Sequence, residues 1–104
     1  MKLNDYQNQA MTFRLPTANP LYALLNLTGE VGELNSLIAK TIRDGVDTAT
    51  YPDNLKKELG DILWCLAAAA IDNGLTLEDV AQGNINKLSA RKEAGTLQGS
   101  GDIR

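Results

Sequence analysis

The chain has 104 residues, the length of one small domain. Its composition, 43% hydrophobic and 22% charged, is ordinary for a globular protein, and a net charge of −3 gives no basic footprint for nucleic acid. A single cysteine, Cys65, cannot form an internal disulfide, and no apolar run reaches membrane-spanning length. These features predict a cytoplasmic protein that binds neither nucleic acid nor membrane.

The sequence contains no histidine. This absence excludes Ser-His-Asp and Cys-His catalytic groups, the usual catalytic zinc sites, and di-iron bundles of the Glu-x-x-His type. A metal held only by carboxylate oxygens is typically a hard cation, which here means Mg²⁺ or Mn²⁺.

Apolar residues at the helical period predict four helices, whereas strand signals are weak. The first helix is predicted from about residue 4 to residue 14, because the PTANP segment 16–20 stops it. The second is predicted at about 21–44, with Gly45 as the residue that ends it.

The third helix is predicted from Pro52 in its first turn to about Asn73, with Gly74 as its stop. Thr76 is the predicted N-cap of the fourth helix, which ends near Lys92. The simplest architecture is an all-α, four-helix bundle in which the second and third helices run antiparallel.

We expect a single domain over 1–104, with an irregular tail at 93–104. The third helix is apolar on nearly all sides from Leu59 onward, which is typical of a central helix or of one buried between subunits. Trp64 and Cys65 are therefore predicted to lie in the core or in a subunit interface.

Two carboxylate pairs with i,i+3 spacing stand inside these apolar helices. Such spacing stacks like charges on one helix face, which destabilises the helix unless a cation compensates. Each pair also encloses a glycine, Gly32 or Gly60, which predicts close approach of a backbone or of a ligand. The four predicted cation ligands are Glu30, Glu33, Glu58 and Asp61.

The segments GEVGEL, KELGDILWCLA and NINKLSAR together resemble the MazG-like proteins of the all-α NTP pyrophosphohydrolase superfamily. Their signature is E-x-x-E, a spacer and E-x-x-D on antiparallel helices, followed by N-x-x-K-L-x-x-R on the next helix. The ending GSGDIR is similar to the short tail of stand-alone phage or bacterial members. The resemblance covers the chain from about Leu21 to the C-terminus.

The resemblance implies hydrolysis of a nucleoside triphosphate between its α and β phosphates, with release of a monophosphate and pyrophosphate. It assigns metal binding to the four acids and catalysis to Glu33 and Glu58, with Glu33 as the candidate general base. Mg²⁺ bound through carboxylates keeps positions open for water and phosphate oxygens, which fits this reaction.

Phosphate and sugar binding is expected from cationic and amide side chains on the second and fourth helices. They are Lys40, Asn84, Lys87 and Arg91. Lys40 has an equally strong interpretation as a solvated lysine near a helix C-terminus. Trp64 has a second interpretation as a wall of the base pocket.

Two rival interpretations stay open at this point. One is a relative of phosphoribosyl-ATP pyrophosphohydrolase, or a dUTP- or dCTP-selective enzyme, since nothing in the sequence determines the base. The other is a catalytically inactive helical interaction module that dimerises through the third helix. Family members form dimers or tetramers, so a homodimer or homotetramer is expected.

Overall fold

The structure, a computed structural model, describes residues 1–16 and 20–95. It consists of helices, as the sequence predicts, and no strand occurs within these ranges. The predicted tail lies mostly outside them, because the described part of the chain ends two residues after the last helix. The helices are α1 (Leu3–Met11), α2 (Tyr22–Asp44), α3 (Tyr51–Asp72) and α4 (Leu77–Glu93).

The α1 helix ends earlier than predicted, at Met11 instead of near residue 14. Beyond it the backbone tightens into turns, because the amides of Phe13 and Arg14 donate to carbonyls three residues back. The Thr12 hydroxyl also donates to the Gln9 carbonyl at 2.6 Å. Phe13 therefore lies beyond the helix and is 75% exposed.

The α2 and α3 helices form an antiparallel hairpin, as predicted. Gly45 ends α2 with a φ of +87°, a conformation that favours glycine, and its amide donates to the Thr41 carbonyl at 2.9 Å. The carbonyl of Asp47 accepts hydrogen bonds from the first amides around the start of α3. Pro52 lies in the first turn of α3, where its missing N–H has no consequence.

Small side chains form the seam along which the helices approach each other. Ala23 of α2 packs with Ala68 and Ala69 of α3, while Ala67 and Ala70 pack with Leu77 of α4. Alanine brings backbones close but removes little apolar surface from water per residue. The larger apolar residues of α3 are left partly outside, so that Leu59 is 49% and Leu66 42% exposed.

The short α1 helix is attached to α3 and α4 by polar groups. Gln7 is buried, and its amide nitrogen donates to the carbonyls of Ala67 at 3.2 Å and Leu75 at 3.3 Å. Its carbonyl oxygen accepts from the Leu77 amide at 3.1 Å, and Asn4 accepts from the next amide of α4. One side chain therefore satisfies groups on two other elements, which makes its burial favourable.

A bidentate ion pair between Arg14 and Asp72 fixes the segment after α1. Both terminal nitrogens of Arg14 donate to the carboxylate of Asp72 at 2.7 Å, at the end of α3. The guanidinium holds the pKa of the Asp72 carboxyl below its usual value. The two-nitrogen geometry is the strong form of this interaction, so it fixes the chain where it leaves α1.

The α4 helix begins as predicted, since the Thr76 hydroxyl accepts from the Asp79 amide at 3.1 Å. In its first turn, Leu77 is buried against Ala67 and Ala70 of α3. Farther along, Ile85 is 57% and Leu88 37% exposed. Within the described part of the chain, α4 contacts α1 and α3 but not α2. None of the helices in that part is both long and apolar enough to span a membrane.

Candidate active site

Three of the four predicted cation ligands converge between α2 and α3. One carboxylate oxygen each from Glu30, Glu58 and Asp61 lies within 4.8 Å of the others. The antiparallel hairpin produces this arrangement, because it places the middle of α2 beside the middle of α3. Oxygens bound to one Mg²⁺ are about 3 to 4 Å apart, so small side-chain movements bring this set into ligand geometry.

The convergence of these carboxylates is electrostatically unfavourable, as the pKa of Glu30 shows. Burial raises the pKa of Glu30 above its usual value, and the charges of Asp61, Glu58 and Glu33 raise it further. Glu30 and Glu58 are half-buried, while Asp61 is exposed. Three carboxylates, two of them partly shielded from solvent, are therefore concentrated in one place. A divalent cation stabilises such an arrangement.

Glu33 lies outside this group of three oxygens. It is exposed on the next turn of α2, yet it is near enough to raise the pKa of Glu30. Three residues correspond to about 300° of helix rotation, so Glu33 points about 60° away from Glu30 around α2. Glu33, the carboxylate predicted to act as the general base, therefore lies apart from the three carboxylates that converge.

Sequence reasoning missed Tyr6, which α1 brings to the edge of the acidic group. Burial raises the pKa of its phenol, with contributions from the charge of Asp61 and from Cys65. Cys65 is buried between the helices, as predicted, and burial together with Glu30 and Asp61 raises the pKa of its thiol. Both groups stay neutral near the acids, so they add no further negative charge.

Two adjoining cavities share Phe13 and Trp64 among their lining residues. The larger, of about 430 Å³, is lined by residues from α2, from α3 and from the segment after α1, including Tyr22, Asn26 and Trp64. The smaller, of about 270 Å³, is lined by Tyr6, Trp64 and neighbours on α1. Trp64 is half-buried between them, and its indole N–H donates to the Ala10 carbonyl at 3.1 Å.

The predicted phosphate-binding residues are spread over two regions. Lys40 lines a pocket of about 210 Å³ at the tip of the hairpin, where the hydrogen bond from Arg43 lowers the pKa of Asp44 and the charge of Lys40 lowers it further. Asn84 and Lys87 are exposed on α4, and Arg91 is half-buried on the same helix. The Nε atom of Arg91 is shielded from solvent.

Of the two alternatives predicted for the helix glycines, close approach of a backbone is wrong within the described part of one chain, and close approach of a ligand stays a prediction. A Cβ added at Gly32 or Gly60 would meet no atom within 4 Å, leaving aside the backbone of the helix itself. The hairpin packs through its alanines instead, and both glycines face open space. No other element of the described part of the chain approaches either glycine closely.

Sequence comparisons agree with the geometry of the hairpin. The model of the MazG nucleotide pyrophosphohydrolase domain matches residues 19–96, which include α2, α3 and α4. The chain belongs to the MazG nucleotide pyrophosphohydrolase family. It is also 44% identical over 85 residues to the Gene 37 protein of Mycobacterium phage L5, covering 80% of this chain and 75% of that protein. No solved structure gives a significant match.

Membership in the MazG family carries general consequences for this chain. The family hydrolyses nucleotides to release pyrophosphate and depends on a metal, and a three-carboxylate group suits that requirement. The matched range begins after α1, so the helix that supplies Gln7 and Tyr6 lies outside the part that defines the family.

Proposed function

We propose that this MazG protein is a Mg²⁺-dependent pyrophosphohydrolase that converts a ribo- or deoxyribonucleoside triphosphate to the monophosphate and pyrophosphate. Its role would be nucleotide-pool control or house-cleaning, in the cytoplasm. The observation that carries the proposal is the convergence of Glu30, Glu58 and Asp61 within 4.8 Å, in a chain of this family. Mn²⁺ suits the same oxygen ligands and is the alternative metal.

The acidic residues take separate roles in this proposal. Glu30, Glu58 and Asp61 hold the cation, which neutralises polyphosphate charge and acidifies a bound water when present. Glu33, one turn along α2 and outside the ligand group, is the proposed general base. Its exposure keeps it accessible to water, and its separation leaves a carboxylate free to accept a proton. Glu58 is catalytic through the cation it binds.

Lys40, Asn84, Lys87 and Arg91 are the proposed phosphate and sugar ligands. An arginine and a lysine spaced i,i+4 suit a phosphate clamp, which supports the α4 assignment. Since α4 and α2 do not touch in the described part of the chain, we propose that assembly of subunits completes the pocket.

The surface of the chain supports a homodimer or homotetramer. A compact monomer of 11.2 kDa exposes about 5,700 Å², whereas this chain exposes 7677 Å². The excess of about 2,000 Å² is comparable to what one subunit buries in an obligate dimer. The radius of gyration, 16.5 Å, also exceeds the value of about 13 Å for a compact domain of this length. Light scattering on the eluted protein tests this, and a mass of one chain would contradict it.

Incubation with a panel of nucleotides and Mg²⁺, followed by chromatography of the products, tests the reaction. We expect monophosphate and pyrophosphate in equal amounts from at least one nucleotide of the panel. Orthophosphate without pyrophosphate would refute the cleavage position. Turnover of phosphoribosyl-ATP alone would favour that related activity, and no turnover on any substrate would favour the inactive interaction module.

A further inference from the structure

Charge is distributed unevenly along the α2–α3 hairpin. On the side of the acidic group away from the hairpin tip, the segments 22–29 of α2 and 62–71 of α3 contain no charged residue. On the side toward the tip, the same two helices carry four cations, namely Lys40, Arg43, Lys56 and Lys57. A polyphosphate that extends from the acids along the hairpin therefore meets positive charge in the direction of the tip.

Lys57 is the cation of the hairpin that lies nearest to the acidic group along the helix axes. It precedes Glu58 directly and lies four residues, about 6 Å of helix rise, before Asp61. Lys40 lies ten residues, about 15 Å, after Glu30 on the other helix. Because four residues correspond to about 40° of net rotation, Lys57 and Asp61 share one face of α3.

An ordinary ion pair within α3 is the alternative interpretation of Lys57. Asp53 lies four residues before it and Asp61 four residues after it, which is the spacing of helical ion pairs. In the described part of the chain neither carboxylate forms an ion pair with Lys57, since the ion pairs there involve Arg14 and Arg43. Lys57 is exposed, so its ammonium group is accessible to a ligand from solution.

The charge balance of the acidic group requires a further cation when substrate is bound. Its three carboxylates outnumber the two charges of one divalent cation, and the exposed Glu33 adds to the excess. The two terminal phosphates carry most of the negative charge of a nucleoside triphosphate, and both belong to the pyrophosphate that leaves. A lysine beside the cation offsets the repulsion, because its ammonium group is a compact charge with three rotatable donors.

We infer that Lys57 binds the two phosphates that leave as pyrophosphate, and that this contact makes the site prefer triphosphates to diphosphates. The inference rests on the proposed function and adds a phosphate ligand on α3, beside the cation ligands Glu58 and Asp61. One helical turn, about 5.4 Å, is comparable to the length of a triphosphate chain, so Lys57 reaches phosphates beyond the cleaved bond. A diphosphate has one phosphate fewer there and loses part of the contact.

Binding of inorganic pyrophosphate in the presence of Mg²⁺, measured by isothermal titration calorimetry, tests the inference without turnover. Lys57→Gln removes the charge and Lys57→Arg keeps it. Lys56→Gln is the matched control, because Lys56 is also exposed but is turned about 140° from Asp61 around α3. We expect Lys57→Gln to weaken binding about tenfold, Lys57→Arg to restore most of the affinity, and Lys56→Gln to bind like wild type. Lysine and glutamine have similar helix propensities, so the Gln variants should keep wild-type helicity.

The same variants separate a contact with pyrophosphate from a general change in the site. For a nucleotide that the enzyme hydrolyses, Lys57→Gln should raise KM about tenfold while the inhibition constant of the product monophosphate stays unchanged. Equal weakening of pyrophosphate and monophosphate, or equal effects of Lys57→Gln and Lys56→Gln, would overturn the inference. Failure of wild type to bind pyrophosphate would also overturn it, even if the enzyme is active. Pyrophosphate binding that depends on Lys57, without turnover of any nucleotide, would instead refute the proposed reaction and support Lys57 as a pyrophosphate ligand.

Discussion

The α2–α3 hairpin and α4 differ in what each achieves within one chain. The two helices of the hairpin pack through alanines and bring three carboxylates together within a single chain. The α4 helix has Thr76 as a good cap, yet beyond its first turn its apolar residues, such as Ile85, remain exposed. A well-formed helix is therefore not necessarily a well-packed one. In this protein the hairpin brings the three carboxylates together, and in the proposed assembly α4 gains its packing from another subunit.

Glu58→Gln should have the largest effect, since it removes one charge from the three-carboxylate group. We expect kcat/KM to fall about a thousandfold or more, because the cation supplies several kcal/mol of charge stabilisation. Circular dichroism should show unchanged helicity. Glu78→Gln, a matched change on α4, should keep full activity. An active Glu58→Gln variant would contradict the division of labour between hairpin and α4.

Charge on the exposed apolar side of α4 should have the next largest effect. With Ile85→Lys and Leu88→Lys combined, we expect the assembly to dissociate to 11.2 kDa chains in light scattering. Ala90→Lys, on the opposite side of α4, is the control and should leave the mass unchanged. If the double variant retains the wild-type mass, α4 is not part of the interface.

Alanine at two helix glycines should have the smallest effect. Gly60 in the hairpin and Gly83 in α4 both face open space, so each substitution should stabilise the fold by about 1 kcal/mol. For a chain of this size that corresponds to a Tm increase of about 4 to 8 °C. A lower Tm for Gly60→Ala alone would show that the hairpin, rather than α4, faces the partner subunit.

The features that the sequence predicted correctly depend on residues that are close together along the chain. Helical periods, the Gly45 stop and the Thr76 cap are local, and all appear in the structure. The hairpin could also be predicted from the sequence, because two helices joined by a short loop pack antiparallel. Three of the four predicted cation ligands meet for that reason, whereas the Glu33 carboxylate lies outside the group, although Glu58 and Asp61, with the same i,i+3 spacing, both belong to it.

The features that the sequence could not predict depend on contacts between residues that are far apart along the chain. Gln7 bonds to groups 60 to 70 residues away, and no local pattern distinguishes it from the neighbouring amide residues. The position of Tyr6 near Asp61 follows from that docking, so it was missed as well. The roles proposed for Lys40, Asn84, Lys87 and Arg91 stay predictions.

The capping of α4 by α1 has a consequence for the order of folding. The first amides of α4 donate to Gln7 and Asn4, which lie at the other end of the chain. The hairpin needs only a short loop closure, but this contact must enclose about seventy residues, which costs more chain entropy. We expect the two ends to join last, after the hairpin has formed. Until α1 docks, the cavities that α1 and the following segment line are incomplete, so the three carboxylates of the hairpin can meet before these cavities form.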